Sequence, residues 1–77
     1  MENEEKIYDP LLMDALKVIV EKNKVSIALI QRTLVVGYPR AARLVDQLEE
    51  KKYVSYVEQG NWKILISKEE FEKLLKN

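Results

Sequence analysis

Apolar residues at Leu12, Ala15, Leu16, Ile19 and Val20 follow the i, i+3, i+4, i+7, i+8 spacing of a helix with one buried stripe. Asp9 before Pro10 predicts the start: a capping carboxylate, then proline at the first helical position, where its missing N–H costs nothing. Tyr8 and Met13 stand at the spacing of a hydrophobic staple. Lys22-Asn23 predicts the end, with Asn23 able to take a left-handed cap. Ser26 caps a second, short helix over 27–34, with Ile27, Ile30 and Leu34 inward. Gly37 breaks that pattern, and Pro39 opens a third helix over 39–51. Its apolar stripe is Ala41, Leu44, Val45 and Leu48, while Arg40, Arg43, Gln47 and Glu50 lie on a different stripe, away from the core.

The period then changes. Tyr53-Val54-Ser55-Tyr56-Val57 and Trp62-Lys63-Ile64-Leu65-Ile66 are rich in β-formers, and Glu58-Gln59-Gly60-Asn61 between them is a polar turn, which predicts a hairpin. Ser67 with Glu70 three residues on is a capping box for a last helix whose apolar face is Phe71, Leu74 and Leu75. Three helices, a hairpin and a short C-terminal helix, with a tight helix-turn-helix in the middle, make a mainly α fold of the winged helix-turn-helix type. The reading is of a flexible N-terminus over 1–7 and a single domain over 8–77.

Composition narrows the function classes. The chain has 77 residues with 13 basic and 13 acidic side chains, no cysteine and no histidine. Disulfides, thiolate chemistry and the usual zinc ligands are excluded, and no cofactor or metal is expected. The longest apolar run is four residues, Ile27 to Ile30, far short of a membrane span, and Glu2, Glu4 and Glu5 give the wrong charge for a signal peptide. A cytoplasmic protein with no membrane partner is expected. Ser26, Ser55 and Ser67 have no histidine to activate them, so an enzyme is not expected.

Zero net charge hides an uneven distribution. Residues 1–23 hold three basic and six acidic groups, whereas residues 24–63 hold seven basic and four acidic. All three arginines, Arg32, Arg40 and Arg43, lie in the basic segment. Arginine is the side chain best suited to a phosphate or a guanine edge. In a helix-turn-helix the second helix enters the major groove with its N-terminal residues, here Tyr38, Pro39, Arg40 and Arg43. The alternative is that these arginines pair with Asp46, Gln47 or Glu50 on the same helix. Arg32 and Thr33 end the first helix of the pair, where polar residues touch the DNA backbone or are simply solvated. Gln59, Gly60, Asn61 and Lys63 make a polar hairpin tip, with Trp62 either stacking on nucleic acid or packing inward. Acidic Glu2, Glu4, Glu5, Asp9 and Asp14 are expected on the side opposite the DNA, so that one face is acidic and one basic.

Leu29-Ile30-Gln31-Arg32 and Val36-Gly37-Tyr38-Pro39-Arg40-Ala41-Ala42-Arg43-Leu44-Val45-Asp46-Gln47-Leu48-Glu49-Glu50 resemble the gamma domain of the FtsK/SpoIIIE DNA translocases. In that family the stretch typically reads Leu-Leu-Gln-Arg-Arg, then Ile-Gly-Tyr-Asn-Arg-Ala-Ala-Arg-Leu-Ile-Asp-Gln-Met-Glu. The resemblance covers roughly residues 8–57. It implies a winged helix that reads a short, directional, G-rich sequence on duplex DNA. It implies base contacts from Arg40 and Arg43, a backbone contact from Arg32, and a wing contact from Lys63. Three departures stand out: Pro39 where the family carries asparagine, Thr33 where it carries a second arginine, and Gly60-Asn61-Trp62-Lys63 in place of a Gly-Ser-Lys-Pro-Arg-like wing. The chain contains no Gly-x-x-x-x-Gly-Lys-Ser/Thr phosphate loop, so no motor activity of its own is expected.

The expected function is a sequence-specific reader of double-stranded DNA, with Arg32, Thr33, Tyr38, Arg40, Arg43, Gln47 and Lys63 as its contacts. The alternative is a protein-interaction winged helix, docking a recombinase or a larger translocase chain through the acidic first helix or the Phe71, Leu74 and Leu75 tail; that tail could instead cover the hydrophobic side of the hairpin.

Overall fold

Local chemistry fixes several helix ends: the Ser26 and Ser67 hydroxyls cap two starts, and Asn23 closes another helix in the left-handed conformation. The computed structural model describes residues 7–76; the expectation of a flexible stretch over 1–7 therefore falls, apart from Ile7, outside the described residues. Helix α1 spans Leu12–Lys22 and begins later than Asp9-Pro10 suggests. Asp9 caps a preceding turn instead: its carboxylate accepts from the Leu11 N–H at 2.8 Å, and its carbonyl accepts from the Leu12 N–H at 2.9 Å. Asn23 closes α1 in the left-handed conformation, with φ 54°. Helix α2 spans Ile27–Leu34, and the Ser26 hydroxyl accepts from the Leu29 N–H at 3.1 Å. Helix α3 spans Tyr38–Glu50, starting one residue before Pro39.

The turn between α2 and α3 does not use its glycine for backbone freedom. Gly37 has φ −75° and serves as the N-cap of α3, while the left-handed residue that ends α2 is Val35, at φ 57° and 85% exposed. A β-branched residue there is strained, and its side chain gains no burial in return.

Strands β1 (Val54–Glu58) and β2 (Asn61–Ile64) pair antiparallel, each displaced by a residue or two from the pattern-based bounds. The loop is only Gln59-Gly60, with φ 51° and 79°, the doubly positive geometry that a two-residue hairpin turn demands. Glu58 faces Asn61 but Tyr56 faces Trp62, so Val57 forms a bulge. Trp62 is half-buried and meets Tyr56 edge-on at 5.1 Å, which settles its packing role within the hairpin.

Helix α4 spans Lys68–Lys76 behind a complete capping box: the Ser67 hydroxyl accepts from Glu70 N–H at 3.0 Å and Glu70 Oε1 accepts from Ser67 N–H at 2.9 Å. It packs on α1. Phe71 is buried and Leu74 half-buried, but Leu75 is 59% exposed and does not belong to the apolar face assigned to it. The core combines Leu12, Ala15, Leu16 and Ile19 of α1, Ile30 of α2, Ala41, Leu44, Val45 and Leu48 of α3, Val54 and Phe71. Three helices, a two-stranded wing and a C-terminal helix make this a winged helix. Among the described residues no helix is long and apolar enough to cross a membrane.

Candidate nucleic-acid interface

Because Ala41, Leu44, Val45 and Leu48 are all buried, the orientation of α3 is determined. At about 100° per residue, Pro39, Arg43, Asp46 and Glu50 then lie across the helix from the core. All four are exposed. Arg40 and Gln47 lie on a flank instead, and that flank faces the turn before α1.

Asp9 organises the flank. Arg40 Nε donates to Asp9 Oδ2 and Arg40 Nη2 to Asp9 Oδ1, both at 2.8 Å, a side-on bidentate ion pair. The Asp9 backbone N–H donates to Gln47 Oε1 at 2.9 Å. One residue earlier, the Tyr8 ring lies under the Lys51 ammonium, 4.4 Å from its centroid. The Asp9 side chain is 12% exposed and the Arg40 side chain 41%. The Arg40 guanidinium, followed by the Leu11 N–H, lowers the Asp9 carboxyl to a pKa of about 2, and the same ion pair raises that of Arg40.

This changes the picture drawn from spacing. Asp9 does not lie opposite the basic face; it is bonded to it, and Glu2, Glu4 and Glu5 lie outside the described residues. Arg40 does pair with a carboxylate, but one 31 positions away rather than on its own helix. Arg40 and Gln47 are brought together on Asp9, whereas Arg43 is exposed on the outward line. Arg32 and Thr33 are exposed in the last turn of α2, and Tyr38, 59% exposed, is the first residue of α3. Lys63 is exposed on β2, opposite Ser55, apart from the Asp9 contacts. The residue that pattern reading left out of the site is Asp9, whose Asp-Pro signal accounts for a helix start.

The Ftsk gamma domain model matches residues 6–67. The chain belongs to the FtsK gamma domain family. It is 47% identical over 68 residues to the DNA translocase FtsK of Caldanaerobacter subterraneus, covering 87% of this chain and 10% of that protein. It is 60% identical over 47 residues to the DNA translocase FtsK of Clostridium acetobutylicum, covering 61% of this chain and 6% of that protein. It is 35% identical over 74 residues to the DNA translocase SpoIIIE of Bacillus subtilis, covering 95% of this chain and 9% of that protein. The chain thus spans a tenth or less of these relatives, and what it matches is their small gamma domain, not the translocase motor.

Proposed function

We propose that this gamma domain is a sequence-specific duplex-DNA reader without motor or other catalytic activity, acting as one unit over residues 8–77. Helix α3 enters the major groove, and Arg43 reads a base edge from its outward line. Arg32 and Thr33 at the end of α2 contact the DNA backbone, Tyr38 flanks the groove at the start of α3, and Lys63 reaches a phosphate from the wing. The target is G-rich, because arginine pairs side by side with guanine. The observation that carries this reading is Arg43 standing exposed, opposite the buried stripe, on the second helix of a helix-turn-helix whose relatives are DNA translocases. Of the two surfaces open to the recombinase-docking alternative, the C-terminal tail is reduced, since Phe71 is buried in the core and Leu75 alone of its apolar residues is exposed.

Selection of bound duplexes from a random pool, followed by titration of Arg43→Ala, tests the reading. The expected result is an enriched G-rich motif, with Arg43→Ala weakening its binding by about 1–3 kcal/mol and flattening the preference. A pool that enriches no motif, or an Arg43→Ala protein with the parent's preference, overturns it.

A further inference from the structure

A guanidinium carries five N–H donors in a rigid fork. In Arg40, Nε–H and one hydrogen of Nη2 are taken by the Asp9 carboxylate. The outer edge, made by Nη1 and the second Nη2 hydrogen, keeps three donors on a side chain that is 41% exposed. This outer edge is the one that pairs side by side with a guanine. Asp9 is itself anchored: its N–H donates to Gln47, its carboxylate also takes the Leu11 N–H, and its side chain is 12% exposed. Arg40 therefore loses its rotamer freedom when the chain folds rather than when a ligand binds.

We propose that Asp9, outside the recognition helix, is a specificity-determining positioning residue that presents the outer guanidinium edge of Arg40 to a base. This rests on the DNA-reading function above and names a residue through which that site acts. The pair is close to neutral, so Arg40 adds direction rather than long-range attraction. Its contribution falls on discrimination between sequences and little on affinity for arbitrary DNA.

A double-mutant cycle separates this role from a merely structural one. The parent, Asp9→Asn, Arg40→Ala and the combined variant are titrated with the duplex selected from the random pool and with a shuffled duplex of the same composition. Folding of each is checked by circular dichroism, and asparagine keeps a carbonyl for the Leu11 N–H. Asp9→Asn is expected to lower the ratio of the two affinities about five- to tenfold, the low end for one bidentate base contact. Affinity for the shuffled duplex holds or rises, and the salt slope steepens as the positive charge is freed. In the Arg40→Ala background the same change lowers the ratio no further. Should Asp9→Asn fail to fold, Arg40→Lys carries the test: it keeps the charge but cannot fork, and the same loss is expected. An undiminished ratio in Asp9→Asn, or in Arg40→Lys where that variant stands in, overturns the assignment, as does an equal loss with and without Arg40. A parent that prefers no duplex overturns the DNA reading itself.

Discussion

The flank of α3 and the wing are both polar surfaces of this small domain, but they are held in different ways. On α3, Arg40 and Gln47 are tied to Asp9 across 31 and 38 positions of sequence. In the wing the ties are short: the Tyr56 hydroxyl accepts from the Gly60 N–H, and Tyr56 meets Trp62 edge-on. Asp9 thus holds Arg40 and Gln47 from a distant part of the chain, while the wing closes on a two-residue turn and an aromatic pair and is seated through the buried Val54. Side chains anchored from a distance suit directional readout, and locally held ones suit contacts to a uniform backbone.

Four changes probe that difference. The largest effect is expected from Leu48→Ala, which opens a cavity under α3 and should cost about 2–5 kcal/mol in chemical denaturation. A loss below 1 kcal/mol would show that α3 is not seated as described. Gly60→Ala should cost about 1 kcal/mol, because Gly60 sits at φ 79° with no atom within 4 Å of an added methyl, so backbone strain alone acts. Its effect should stay in the wing, with the backbone amide shifts of α3 unmoved in NMR spectra; movement there would couple the two regions.

Acid comes next. The Asp9 carboxyl is lowered from 3.8 to about 2 in the folded chain, so its share of stability is complete above about pH 4 and fades as pH falls through about 2. An NMR titration of its carboxyl carbon should show that low midpoint, and Arg40→Ala should return it toward the ordinary value. An unshifted midpoint in the parent would dissolve the contrast between long-range and local anchoring. The smallest effect belongs to Lys63→Ala: stability should stay within about 0.5 kcal/mol, and the salt slope of binding should fall by about 0.9 with sequence preference kept. A change in preference would move base reading to the wing.

The elements could largely be read from periodicity and caps. The stripe Ala41, Leu44, Val45, Leu48 is buried as its spacing requires, and Ser26, Asn23 and the Ser67–Glu70 box act where local chemistry places them. These features depend on contacts within a few residues. The hairpin moved because two positive-φ residues shorten the loop, and no composition rule sets the bulge at Val57. Leu75 sits beside two inward residues of α4, but the helix rests on α1 along Phe71 and leaves it outside. The candidate site was less legible. Arg43 follows from opposing the buried stripe, whereas the partnership of Arg40 with Asp9 needs the tertiary packing that brings the two ends of a 31-residue separation together.

Val35 holds the left-handed position between α2 and α3 while contributing no packing. Asparagine adopts that conformation more cheaply, so Val35→Asn should raise the melting temperature, by an increment worth roughly 0.5–1 kcal/mol. Thermal tolerance at this elbow is therefore expected to be adjustable by one substitution that leaves Arg43, Arg40 and Lys63 unchanged.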